Sequence, residues 1–241
     1  MTRRRSLVSA ALATAIGVAA LSSLGVWQLK RLAWKEALIA DVTERAHAPT
    51  ADVPAPSTWG ELRPAGYEYR HVRLRGVYDY SHQALVFRAL GSPRGRFGGP
   101  GYLVMTPLKI PSGESVIVNR GFVPDDRKSE AANGPRGDAD VVGLMRSTEE
   151  RTWFTPADNA AKGEWFTRDV EALGKSMGLA TYAPFSIDAD AASDPAALPE
   201  GGETVLSFPN NHLSYAFTWF GTALALVGVF VVWAFTSGRT S

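Results

Sequence analysis

The sequence predicts a membrane protein in which two transmembrane α-helices flank an α+β extracytoplasmic domain with a mainly antiparallel sheet, barrel- or sandwich-like. Two observations carry this. Residues 6–29 and 213–238 contain no charged side chain, and each run is long enough to cross a bilayer. The stretch between them is polar and holds short apolar or alternating runs separated by Pro- and Gly-containing turns. The resulting layout is a cytoplasmic N-terminus (1–5), a first span (6–29), an extracytoplasmic domain (30–212), a second span (213–238) and a cytoplasmic C-terminus (239–241).

The first run has 24 residues, roughly 36 Å as helix against a core of about 30 Å. Arg3, Arg4 and Arg5 precede it. A basic start and an apolar run also fit a cleaved signal peptide. This run is longer than the usual signal core, and Trp27-Gln28-Leu29-Lys30-Arg31-Leu32-Ala33-Trp34-Lys35 continues it as helix, so it reads as an uncleaved anchor. Trp27, Arg31, Trp34 and Leu38 share one face, the aromatic and basic mixture of a membrane interface. The second run is closed by Arg239, with Trp219 and Trp233 near its two ends. Two spans leave both termini on one side, and the Arg3–Arg5 cluster favours the cytoplasm. Lys30, Arg31 and Lys35 weaken that signal, although long loops cross largely regardless of charge. The middle domain is therefore expected in the periplasm, or on the equivalent side of an organelle membrane, with the chain multi-pass in the cell inner membrane.

Within the domain, 32–45 continues the first helix until Pro49, Pro54 and Pro56 end it. Residues 69–77 alternate, with Tyr69, His71, Arg73 and Arg75 opposed to Arg70, Val72, Leu74 and Gly76. Strands are also predicted at 85–88, 102–110, 115–119, 140–145, 182–187 and 204–208. Pro111-Ser112-Gly113-Glu114 is a hairpin turn between two of them. A helix is predicted over 167–177, with Thr167 able to cap it, Asp169 and Glu171 suited to its N-terminal end, and Val170, Leu173 and Met177 on one face. The glycine-rich loop 91–101 lacks the spacing and the following helix of a phosphate-binding loop, so it reads as a flexible loop or hairpin tip.

Composition excludes several chemistries. The net charge of +1 argues against a nucleic-acid partner, and the lack of cysteine removes disulfides, thiolate metal sites and cysteine nucleophiles. No serine sits in a nucleophile elbow and no zinc-protease motif occurs. The histidines are His47, His71, His82 and His212, with no two at metal-site spacing. The pairs Asp125-Asp126 and Glu149-Glu150 read as solvated loop charges. No enzyme is expected.

His212 follows Asn210 and Asn211 at the head of the second span. A neutral imidazole there is an available axial ligand for haem iron, or simply a residue at the headgroups within an aromatic belt. Tyr215, Trp219, Leu226, Phe230 and Trp233 lie within about 60° of it on a helical wheel, while Gly221, Ala225 and Gly228 lie opposite. The small face is expected to pack on Ala15, Ala19 and Ser23 of the first helix, leaving the histidine face to lipid, a second copy or a porphyrin.

Several blocks together resemble the Surfeit-locus (Shy) family of cytochrome c oxidase assembly factors. They are Gly25-Val26-Trp27-Gln28-Leu29-Lys30-Arg31 with Trp34-Lys35, Gly76-Val77-Tyr78-Asp79, and Gly101-Tyr102-Leu103-Val104-Met105-Thr106-Pro107. Val118-Asn119-Arg120-Gly121-Phe122-Val123-Pro124, Trp165-Phe166 with Arg168-Asp169, and Asn211-His212-Leu213-Ser214-Tyr215-Ala216 with Thr218-Trp219 complete the set, in the family's order.

The resemblance implies a role in maturing haem–copper oxidase. Haem a would be bound transiently and delivered to the oxidase core subunit, in concert with the haem a synthesis machinery and without turnover. The family's histidine at the start of the last span maps onto His212, which would be the axial metal ligand, with Tyr215 and Trp219 shaping the pocket. Arg120 has two open roles, pairing with a haem propionate or bonding backbone carbonyls at its turn. A single histidine leaves the sixth position open or filled by a second protomer in a homo-oligomer. The alternative is a membrane-anchored scaffold for oxidase subunits that does not bind haem.

Overall fold

The computed structural model describes residues 2–194, 196–204 and 208–237. The side chains of Arg3 and Arg4, the terminal residues 238–241 with Arg239, and residues 205–207 of the strand expected at 204–208 lie outside the described residues. The chain divides into a helical unit (1–41 and 207–241) and a sheet unit (42–206).

Two long helices make up the helical unit. Helix α1 runs Thr2–His47 and α4 runs His212–Thr236. Both are long and apolar enough to cross a membrane. The first continues well past its apolar run, as Trp27–Lys35 predicts, and the Arg31 guanidinium lies 3.9 Å from the centre of the Trp34 ring one turn on. Two short helices, α2 (Pro64–Tyr67) and α3 (Val170–Ser176), belong to the sheet unit.

The sheet has seven strands: β1 (Ala51–Asp52), β2 (His71–Tyr78), β3 (Ala84–Leu90), β4 (Gly99–Lys109), β5 (Ser115–Pro124), β6 (Asp138–Arg146) and β7 (Tyr182–Ala189). Their order is β1-β2-β6-β7-β5-β4-β3. The β1–β2 and β5–β7 pairs are parallel and the others antiparallel, so the sheet is mixed. Strand β4 also meets β2 through Val77↔Lys109 and Tyr78↔Leu108. Two residue pairs curl the sheet without completing a barrel wall, and it is not a closed barrel.

Alternation decides which side chains enter the core. On β2, Val72, Leu74 and Gly76 are buried, while Arg73 and Arg75 reach Asp140 on β6 from the open face. Strand β5 is buried from Val116 onward, because both of its faces are covered. Val116 and Val118 join Trp59, Tyr67, Phe185 and Ile187 on one side. Ile117 and Phe122 join Val86, Met105, Trp165 and Leu173 on the other. The turn at Gly113 closes the β4–β5 hairpin as expected, with Ile110 N–H donating to the Glu114 carbonyl.

Helix α3 covers the second core with Val170, Leu173 and Met177, each 5% exposed or less. Burying such a side chain stabilises the fold by about 1.5–3 kcal/mol. Asp169, not Thr167, caps it, since the Asp169 carboxylate accepts the N–H groups of Glu171 and Ala172. The Thr167 hydroxyl instead donates to Asp158.

Candidate functional site

The Asn-Arg-Gly-Phe block is a bulge. Leu103 pairs with Phe122 and Met105 with Asn119, so β5 spends one residue more than β4 across this interval. Gly121 takes φ +127° there. A side chain would also run into the Glu200 backbone, which pairs with Phe122 through N···O distances of 2.9 and 2.8 Å. The extra residue turns Arg120 out of the ladder. Its guanidinium donates to the Ala131 carbonyl at 3.0 Å and to the Asn133 carbonyl, with the Tyr78 and Tyr80 rings 5.3 and 4.8 Å away. Burial pushes its pKa down, against the pull of the two tyrosines. Of the two roles open to Arg120, the carbonyl-bonding one is what the structure displays.

Asn119 lies on the opposite side of the bulge. It accepts the Gly121 N–H and donates to Asp188 at 2.9 Å. Asp188 is 4% exposed and gathers four donors. Arg146 lies at 2.9 Å, Arg168 at 3.0 Å, Asn119 at 2.9 Å and the Thr204 hydroxyl at 2.7 Å. Burial opposes the carboxylate charge, but the two guanidiniums and the two hydrogen bonds outweigh it and hold the carboxyl below its usual range. Glu149 is part of the same cluster, pairing with Arg88 at 2.8 Å and Arg168 at 3.3 Å. Its carboxyl is likewise depressed: burial raises it, and the Arg88 hydrogen bond and charge more than compensate. Glu149 is therefore a partly buried network member, not a solvated loop charge. The cleft beside this cluster, about 290 Å³, is lined by charges that already neutralise one another.

The glycine-rich loop is a hairpin tip, as expected, and its backbone is occupied. Arg96 and Phe97 donate N–H groups to the Glu200 carboxylate, while Arg94 and Gly95 donate to Glu203. An anion-holding backbone concavity is thus filled by the chain's own acidic side chains.

In the helical unit, His212 is half-buried and its Nδ1 lies 2.7 Å from Oε1 of Gln28 on α1. Gln28 is 9% exposed. The amide oxygen is an acceptor, so Nδ1 donates to it, and the neutral ring that makes this bond has its lone pair on Nε2. Tyr215 is exposed and Trp219 half-buried. The expected helix seam is overturned. Ala216 and Ala223 are the buried residues of α4. Phe220 sits over Gly25, where a Cβ would come within 2.6 Å of its ring, and Leu226 sits over Gly17 at 2.8 Å. Gly221 and Gly228 have nothing within 4 Å, and Ala15, Ala19, Ser23 and Ala225 are exposed. The contact observed matches a large side chain on α4 with a glycine on α1. The histidine side of α4 is thereby the side that meets α1.

Sequence reasoning missed Gln28 and Asp188. Gln28 stands inside a recognised block, and Asp188 interrupts an apolar strand; each was a visible signal.

The fold defines a class: two candidate membrane spans flanking a mixed-sheet domain whose polar centre is architectural. The chain matches the model of the SURF1 family over residues 15–224. It is similar to Surfeit locus protein 1 of Homo sapiens, 35% identical over 216 residues, which cover 84% of this chain and 70% of that protein. Surfeit locus protein 1 of Rattus norvegicus is 34% identical over 215 residues, with 84% and 68% covered. SURF1-like protein of Caenorhabditis elegans is 28% identical over 225 residues, with 84% and 67% covered. The chain belongs to the SURF1 family.

Proposed function

We propose that this protein is a cytochrome c oxidase biogenesis factor of the cell inner membrane, with its sheet domain in the periplasm, that binds haem a and aids its insertion into the oxidase core subunit. The observation carrying this reading is the His212–Gln28 pair. Imidazoles that ligate metals hold their second N–H on an oxygen acceptor, which fixes the tautomer and aims the ring. Gln28 does this for Nδ1 and leaves Nε2 as the atom through which His212 would hold the haem iron. Haem, when bound, supplies an iron that takes an imidazole nitrogen. Tyr215 and Trp219, about one and two turns along the helix, offer aromatic surface to the macrocycle. The reading includes no turnover.

The test is the optical spectrum of the full chain purified after co-expression with haem a synthesis, as wild type and as His212→Ala. Haem a in the wild type, with bands lost or shifted in the variant, supports the carrier. Haem in neither form ends the carrier reading and leaves a scaffold for oxidase subunits, to be sought by co-purification.

A further inference from the structure

A second feature, independent of the haem reading, lies at the tip of the loop after β6. Trp153 is 94% exposed and Phe154 71%. They touch mainly one another, with ring centres 5.5 Å apart and edge to face. The turn carrying them is built firmly. Thr155 N–H donates to the Thr152 carbonyl at 3.1 Å, and the two threonine hydroxyls meet at 2.6 Å. Below the turn, Arg151 donates to the Pro156 carbonyl and pairs with Asp158, and Asp158 also takes the Phe166 N–H and the Thr167 hydroxyl. A fastened polar loop thus holds two large apolar rings in water, which is where an interaction site is expected.

Area and tethering select the occupant. Two aromatic side chains present about 300–500 Å² together, short of the roughly 800 Å² per partner of a stable protein interface. Such a patch suffices where a tether supplies the effective concentration. The sheet unit is tethered at both ends, since α1 leads into it and α4 follows it, each a candidate span. Tryptophan and phenylalanine are also the side chains that settle at a bilayer interface.

We propose that Trp153 and Phe154 insert into the headgroup region of the bilayer that anchors the chain. Arg151 is already paired with Asp158, so the tip carries no free basic cluster and insertion should not require anionic lipid.

The chain has no cysteine, so Ala157→Cys gives one labelling site beside the pair. The full-length variant, spin-labelled there, is reconstituted into phosphatidylcholine vesicles, and the accessibility of the label to oxygen and to an aqueous nickel chelate is measured. The expected result is a headgroup-depth label that becomes aqueous on adding Trp153→Ser and Phe154→Ser, with the melting temperature unchanged. A label that is aqueous with the aromatic pair intact overturns the proposal. So does a headgroup-depth label that ignores the double substitution. A label shielded only at high protein-to-lipid ratio also overturns it, and assigns the pair to a second copy.

Discussion

The Asp188 cluster and the His212–Gln28 pair both lie within recognised sequence blocks or hold residues from them, yet they are built oppositely. Asp188 is surrounded, with Arg146, Arg168, Asn119 and Thr204 all donating to it. Both oxygens of its carboxylate are engaged among the described residues. His212 engages Gln28 through one ring nitrogen, which in the neutral ring leaves a lone pair on the other. A fully satisfied buried network fixes a structure, whereas a group with remaining valence in an oriented ring can do chemistry. Polar residues in one family signature therefore divide into those, such as Asn119 and Arg168, that build the sheet domain and one, His212, that bonds across the two helices.

The largest effect expected from this contrast comes from Asp188→Ala. It removes the carboxylate that Arg146 and Arg168 share, leaving them only Glu68 and Glu149 as acidic partners among the described residues, and breaking such a network from one side costs up to about 3–5 kcal/mol. Urea unfolding of the full chain in detergent should register that loss in the sheet domain, while His212→Ala leaves the same transition unmoved. A cost under about 1 kcal/mol would break the contrast.

A smaller effect follows from acid. The carboxyls of Asp188 and Glu149 lie below their usual range when folded. Such groups add stability above their unfolded values, about 3.9 for Asp and 4.3 for Glu, and lose it as pH falls through the lower folded values. Sheet-domain stability should therefore be insensitive to these two groups above about pH 5 and decline below about pH 4. Asp188→Asn should flatten part of that decline; an unchanged acid limb would remove Asp188 from the account.

The smallest stability effect belongs to Gln28→Leu, about 1 kcal/mol for one hydrogen bond, confined to helix melting in detergent. Its informative readout is haem. If Gln28 orients the ligand, haem affinity should fall about 10–100-fold with the sheet domain untouched, and unchanged affinity would reduce Gln28 to packing.

Local periodicity made much of the fold legible. The alternation holds over His71–Val77, though Tyr69 and Arg70 lie in the turn before the strand, and the hairpin turn at Gly113 and the apolar face of Val170, Leu173 and Met177 hold as well. Long-range pairing was not legible: nothing within residues 182–187 says that β7 lies parallel to β5 and between it and β6. The bulge was equally hidden, because one extra residue has meaning only against its partner strand. His212 was legible from its position, whereas its Gln28 partner lies 184 residues away in sequence. The seam was misjudged because a run of small residues marks a face that can pack closely, not the face that does. Gly17 and Gly25 make the contact by receiving Leu226 and Phe220.

The place of β7 bears on how the protein is made. Among the described residues it is the last strand in the chain and the middle one in the sheet. While the polypeptide emerges, β1-β2-β6 on one flank and β5-β4-β3 on the other wait for a shared centre, paired with each other where β2 meets β4. That centre arrives just ahead of α4. Completing the sheet and threading the second span thus become consecutive events in synthesis, and a nascent chain cut short before residue 182 would lose both.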